Sequence, residues 1–393
     1  AYVRGIRHCV KERRSPVKLR VEHDVFADAI SWVAHTIPSR PSLPVLAGIR
    51  IEAFKDGTVA LSSYDPDIAS HVAIEAAVNE PGEILVHGRL LADFARALPN
   101  RPIDMQVSGS KLEVTCGSSR IVMQSMPLED YPAAPDMPDL TGAVDGALWQ
   151  EAVAQVVSAA SNDDTLPLLI SVCIEIEGRQ VSLMATDRYR LAVRDLEWEP
   201  TRDDVQERIL IRASRLSDIA KSLGSAGKVE ISVGDGNRGG VIGFSAAGRQ
   251  NVARLIDGDY PQVRNLFPSD VSGYAVVNRQ EMLDAIKRAR LVVEKNSAVR
   301  LSFSEGQVIL EAGQGDNAQT SEALEATLAG EDIVMAFNPG FLQEGLSSTS
   351  AEYIRLSFTS PSKPAVLTAQ REIGSDDSQD FRLLLMPIRT YNS

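Results

Sequence analysis

The chain has 393 residues, 44% of them hydrophobic and 24% charged, proportions that exclude wholesale disorder. No apolar run approaches the roughly 20 residues that a membrane-crossing helix needs. Lys plus Arg number 40 against 53 Asp plus Glu, a net charge of −13, which excludes a protein that coats nucleic acid by bulk charge but leaves room for one basic face. At about 150 residues per domain, the length predicts two or three domains. The three cysteines (Cys9, Cys116, Cys173) are far apart in sequence. Neither a disulfide scaffold nor a Cys-based zinc site is expected, and a reducing cytoplasm is. The five histidines (His8, His23, His35, His71, His87) show no His-x-x-x-His spacing, so no metal and no cofactor are expected.

Residues 1–17 carry Arg4, Arg7, Lys11, Arg13 and Arg14 against Glu12, with no apolar segment. They read as a solvated basic extension rather than a secretory signal or a DNA-touching arm. A helical pattern follows, with Phe26, Ala29, Ile30 and Val33 on one stripe and Asp24 as its N-cap. Short alternating strands come next (VLAGIRIEAF, TVALSSY), then a strand running into a second helix (EILVHGRLLADFARALP), then further strands (IDMQVSG, KLEVTCG, RIVMQSMP).

The same plan recurs twice. Trp149, Ala152, Val153 and Val156 form the stripe of the second copy, and Met282, Ala285, Ile286 and Ala289 that of the third. Each is followed by strands and by a strand–helix pair, ERILIRASRLSDIAKSLG and EDIVMAFNPGFLQEGLSS. Copies one and two close alike, on Leu128-Glu129-Asp130-Tyr131-Pro132 and Ile256-Asp257-Gly258-Asp259-Tyr260-Pro261. The period is too long for a solenoid, and each copy is large enough to own a core. Turn-rich stretches at 132–140 and 267–273 predict three similar domains, 18–139, 140–269 and 270–393. Each is expected to be α+β, two helices packed on antiparallel strands.

Catalytic patterns are weak. Gly234, Gly236 and Gly239 match G-x-G-x-x-G, but a strand follows where a dinucleotide site needs a helix, so a hairpin turn is expected. Ser360-Pro361-Ser362-Lys363 matches S-x-x-K without its supporting motifs and reads as a loop. The acidic pairs (Asp163-Asp164, Asp203-Asp204, Asp376-Asp377) read as turn chemistry. A scaffold, not an enzyme, is the expectation. An enzyme with a site hidden among its acids is the competing class. Bases recur on the helices: Arg89 and Arg96, then Arg212, Arg215 and Lys221, then Lys287, Arg288 and Arg290. The second helix of copy three breaks the pattern with Glu344.

The triplicated plan, the run Ala185-Thr186-Asp187-Arg188-Tyr189-Arg190-Leu191-Ala192-Val193 and the terminal Leu385-Met386-Pro387-Ile388-Arg389 resemble the bacterial sliding clamp, the beta subunit of DNA polymerase III. Arg188-Tyr189 and residues 163–167 are similar to the actinobacterial branch. The resemblance covers residues 18–393. It implies the DNA-clamp fold and a head-to-tail homodimer whose six domains form a ring, with twelve helices lining the bore. It implies a processivity factor that encircles duplex DNA, slides without sequence specificity and tethers the polymerase III alpha subunit, the clamp loader and other clamp-binding-motif proteins. The bases on these helices (Arg89, Arg96, Arg212, Arg215, Lys221, Lys287, Arg288, Arg290) and Arg40 would face DNA. Ser118–Gln124 would pair with Val299–Phe303, or a strand nearby, of the second copy, with Ile121 and Leu291 as apolar contacts. Partner peptides would dock in a pocket of Leu169, Thr186, Arg190, Leu191, Pro261, Leu266, Leu384, Met386, Pro387, Ile388 and Arg389, bordered by Asn338 and Phe341.

Three features depart from the family pattern. Arg188-Tyr189 stands where Gly-His is common, Asn265 where Arg is frequent, and Thr390–Ser393 extends the end. They leave two variant readings: a clamp paralogue resistant to a clamp-directed antibiotic, or a clamp-derived peptide-binding adaptor.

Overall fold

The computed structural model describes residues 17–234, 240–293, 297–313 and 318–389. The basic extension (1–16), Gly236, Gly239 and residues 390–393 lie outside the described residues. The chain divides into two compact units, one reaching to Leu140 and including Glu230–Arg254, the other Thr141–Val229 with the remainder from Leu255.

In the first unit, helix α1 (His23–Ala34) packs beside α2 (Gly88–Ala97). The predicted stripe is the buried one: Phe26, Ala29, Ile30 and Val33 are each at most 2% exposed. Asp24 is not the N-cap. Glu22 holds that place in extended conformation without a side-chain bond, and Asp24 lies in the first turn, accepting from Asn100 at 3.2 Å. A carboxylate in the first turn still complements the helix dipole. One sheet runs Ala77–Glu80, Lys18–Val21, Ile103–Ser108, Lys111–Cys116, Ser119–Gln124, all antiparallel. A second meander, Gly48–Ala53, Thr58–Asp65, Ile68–Glu75, is joined by Arg249–Arg254 from the middle third of the chain, Asn251 facing Ser70.

In the second unit, α3 (Gly146–Val157) packs on α4 (Ala213–Leu223), and α5 (Arg279–Ala289) on α6 (Pro339–Ser347). Short polar side chains start three of these four. Asp145 accepts from Leu148 N at 2.9 Å, Asn278 from Glu281 N at 3.0 Å, and Asn338 from Gly340 N at 2.8 Å. Both predicted stripes are buried: Trp149, Ala152, Val153 and Val156, then Met282, Ala285, Ile286 and Ala289.

A twelve-stranded antiparallel sheet runs through this unit. Its pivot is the pairing of Arg190–Glu197 with Asp377–Leu385, Leu191 facing Leu384. This repeats the arrangement of the first unit. In each case the last strand of one meander (Arg249–Arg254, Asp377–Leu385) pairs with the last strand of another (Ile68–Glu75, Arg190–Glu197).

The strand Val299–Ser304 is not an edge. It pairs with Gln307–Ala312 on one side and Ile333–Phe337 on the other. Both of its hydrogen-bonding sides are used, so it cannot accept a strand from a second copy. Among the described residues, Thr320–Ala329 is the strand with a free side within the run, while Ile333–Phe337 ends the sheet. Residues 320–325 pair only with Gln307–Ala312, and residues 326–329 only with Gly273–Asn278. Ser119–Gln124 ends its sheet as expected, paired only with Lys111–Cys116. Lys228–Val233 and Val241–Ala246 pair antiparallel across the glycine run, the hairpin the sequence suggests. Residues 360–363 form a turn closed by Lys363 N and Ser360 O at 3.1 Å.

Candidate functional site

The pocket residues that the sequence singles out belong to one unit, and the structure stacks them in two tiers. The hairpin Gln180–Thr186/Arg190–Glu197 turns through Asp187, Arg188 and Tyr189. Asp187 Oδ1 accepts the backbone N–H of Tyr189 and of Arg190, each at 3.0 Å. The Thr186 hydroxyl donates to Arg190 O at 2.6 Å and accepts from Arg188 N at 3.2 Å. These bonds hold Arg188 at φ 79°, a left-handed conformation costly for a residue with a Cβ.

The carboxy-terminal segment straps across this turn. Met386 N donates to Tyr189 O at 2.9 Å and Ile388 N to Ala336 O at 2.8 Å. Met386 and Ile388 are thereby displayed at 41% and 36% exposure, and Leu266 at 57%. Pro261 and Arg389 are exposed, and Leu169 and Pro387 partly so. Leu191 and Leu384 are buried in one cluster with Met184, Tyr260 and Val263. Thr186 is buried beside them. These three form the floor beneath the exposed apolar groups, because inward residues of paired strands alternate with outward ones.

Arg190 is the charged residue beside this floor and is itself buried, at 6% exposure. Its Nε donates to Asp187 Oδ2 at 3.0 Å, and its Nη1 donates to Glu344 on α6. The guanidinium lies over Phe341, 4.2 Å from the ring centroid, a cation–π contact. Asn338, by capping α6, sets where Phe341 and Glu344 stand.

A polar cleft next to Pro261 and Val263 escaped sequence reasoning. Glu175, Ser182, Asp195, Arg208 and Arg264 line it, with Arg264 to Asp195 at 2.9 Å, Arg208 to Glu175 at 3.1 Å and Ser182 to Asp195 at 2.6 Å. Arg382 reaches Asp195 at 3.3 Å. Burial pushes the Asp195 carboxyl up, but bonds from Arg264 and Ser182 outweigh it and hold it below its ordinary value. Burial raises the Cys173 thiol, so it is not an activated nucleophile. No sequence signal marks the cleft: Glu175, Ser182, Asp195 and Arg208 sit on four separate strands and Arg264 in the helical turn Val263–Leu266, and they meet only through the fold.

The helix bases are exposed or half-buried, and most have a nearby acceptor. Arg96 pairs with Asp93, Arg212 with Asp164 at 2.8 Å, Lys287 with Asp284 at 3.2 Å and Arg288 with Glu322 at 2.6 Å. Arg89 donates to Ile37 O at 2.8 Å, and Arg290 to Gln343. Arg40 and Lys221 are exposed, and Arg215 is half-buried. Among the described residues, no group of three or more His, Cys, Asp or Glu side chains could hold a metal ion. None of the described helices is long and apolar enough to cross a membrane.

Family models match nearly the whole described chain: DNA polymerase III beta subunit, N-terminal domain, at residues 17–135, central domain at 143–262 and C-terminal domain at 264–389. The chain belongs to the DNA polymerase III beta subunit family. It is 46% identical over 374 residues to the beta sliding clamp of Streptomyces coelicolor, covering 95% of this chain and 99% of that one. It is 38% identical over 373 residues to the beta sliding clamp homolog GriR of Streptomyces muensis, covering 95% and 99%. The Micrococcus luteus clamp is 44% identical, over 79% of this chain and 100% of that one, which fits the actinobacterial resemblance. In structure it resembles the sliding clamp of Bacillus subtilis, with a TM-score of 0.89, 25% identity and coverage of 95% and 100%. It also shares the fold of a Pseudomonas aeruginosa clamp bound to griselimycin, with a TM-score of 0.88, 22% identity and the same coverage.

Proposed function

We propose that this chain is a DNA polymerase processivity factor, a non-catalytic homodimeric ring that encircles duplex DNA in the cytoplasm. The observation that carries this reading is the recurring junction. Two last-strand pairings already join neighbouring thirds of the chain. Ser119–Gln124 is the counterpart of Arg249–Arg254 and Asp377–Leu385, and is unpaired on one side. Residues 320–325 are the counterpart of Ile68–Glu75 and Arg190–Glu197, and are unpaired on one side too. A second copy supplies the missing partner at each end. Heterologous contacts of this kind close when the rotation completes a circle, here with two copies of domains 18–139, 140–269 and 270–393. Ile121 is half-buried and Val122 is 45% exposed on the first edge. Leu291, 85% exposed, follows Arg288, which is bonded to Glu322 on the second edge.

Linkage rather than affinity holds such a ring on DNA. The bases on α2, α4 and α5, with Arg40, face the phosphates, and neighbouring carboxylates temper them. Weak backbone contacts carry no sequence information and permit sliding. The strapped pocket takes Leu or Phe anchors of extended peptides from the polymerase III alpha subunit, the clamp loader and other clamp-binding proteins. A loading assay tests the whole reading. After loading, the protein should stay on circular duplex and run off linear duplex. Equal loss from both would remove it.

A second reading is a paralogue that withstands a clamp-directed antibiotic. The likeness to GriR is consistent with it, as are Arg188, Tyr189 and Asn265 among the departures from the family pattern. The higher identity to the Streptomyces coelicolor clamp favours the first. Affinities for griselimycin beside that clamp separate the two: equal values exclude the paralogue.

A further inference from the structure

We propose that Glu344 is a displaceable cap on Arg190, and that it sets how the pocket treats acidic peptides. The inference rests on the docking reading above and assigns a role to the acid of α6, a helix that carries no base. Arg190 has two carboxylates and one stacked ring. The two carboxylates are not equivalent. The Asp187 side chain is 13% exposed and is committed twice over, its other oxygen holding the N–H groups of Tyr189 and Arg190. The Glu344 side chain is 50% exposed, and among the described residues it makes no other hydrogen bond. Asp187 alone matches the charge of the guanidinium, so Glu344 is a second carboxylate on a single cation.

The geometry favours exchange over collapse. Asp187 fixes the Nε side of the guanidinium and Phe341 fixes its plane, at 4.2 Å. With those two retained, Nη1 keeps its direction when Glu344 swings into solvent. A peptide carboxylate then replaces one oxygen with another on the same donor, the planar fork being suited to that exchange. Until it swings away, Glu344 both occupies the donor and repels an incoming acid. Only the Glu344 end of the pair is half-exposed, the Arg190 side chain being 7% exposed, and Asp187 keeps the guanidinium paired when Glu344 leaves.

The test uses two labelled peptides, acetyl-Ala-Leu-Asp-Leu-Phe and acetyl-Ala-Leu-Asn-Leu-Phe, with the full chain and its Glu344→Gln variant. The substitution should tighten the Asp peptide by about twofold to fivefold and change the Asn peptide by less than about twofold. A merely structural brace would move both peptides together. Equal or weaker binding of the Asp peptide by Glu344→Gln, while the wild type binds it, overturns the inference and leaves the docking reading intact. Failure of the wild type to bind either peptide overturns both.

Discussion

Leu291→Ala offers the sharpest test of ring closure. In the single chain Leu291 is 85% exposed, an unusual place for a large aliphatic side chain just past a helix end. If the junction covers it, the substitution removes three carbons from a buried contact. At about 0.8 kcal/mol per buried CH2, each junction loses roughly 2 kcal/mol. A two-fold ring has two junctions, so the dimer loses about 4 to 5 kcal/mol, some thousandfold in its dissociation constant. The same substitution should leave the chain itself within about 0.5 kcal/mol of its original stability, because the site is solvated there. Sedimentation across a dilution series reads the first quantity, and a urea melt of the dilute monomer reads the second. Leu301→Ala is the contrasting control: Leu301 is fully buried on Val299–Ser304 and should cost the fold about 2 to 5 kcal/mol. A Leu291→Ala protein that dissociates at the wild-type concentration would refute the placement of the junction.

Three further outcomes follow from the pocket. Arg190→Ala should weaken the Leu/Phe-anchored peptides at least about tenfold while light scattering still gives the dimer mass, since the proposed docking pocket includes the guanidinium stacked on Phe341; unchanged peptide affinity would contradict that proposal. Arg188→Gly should raise the denaturation midpoint by the equivalent of about 1 kcal/mol, because the left-handed backbone at φ 79° suits glycine; a drop would show that the arginine side chain repays its strain. Asp195→Asn should destabilise the chain at neutral pH and lose that effect in acid. The Asp195 carboxyl is depressed in the folded state, so its contribution is present above the ordinary value of 3.8 and fades as pH falls below it. Urea midpoints at pH 7 and pH 3 check this, and an equal gap at both would argue against it.

Periodicity made the helices legible. Each predicted stripe is the buried one, since a 3.6-residue repeat survives whatever the helix packs against. Repetition made the three-part plan legible for the same reason. Sheet edges were harder. Alternation places a strand in a meander but does not say which strand is flanked on both sides; the family resemblance put the edge at Val299–Phe303 or nearby, and it lies on residues 320–325. The decisive fact is that Thr320–Ala329 changes neighbours part-way along, and no single-strand pattern records that. Motif matching also merged the pocket with its floor. Leu191 and Leu384 face each other across the sheet beneath the surface, so their place in the motif reflects a shared core as much as a shared partner.

Charge pairing explains why an acidic chain suits a sliding ring. A bore of free arginines would release many counterions on meeting DNA and bind it steeply with salt. Arg96, Arg212, Lys287 and Arg288 each have a carboxylate within reach, so in the proposed bore each would offer only part of its charge to a phosphate. The four exposed or half-exposed pairs are individually weak and can open as the backbone passes. Attraction is then sufficient to centre the duplex and too small to arrest it. Retention has to come from closure, and closure depends on two strand edges that the chain leaves unpaired.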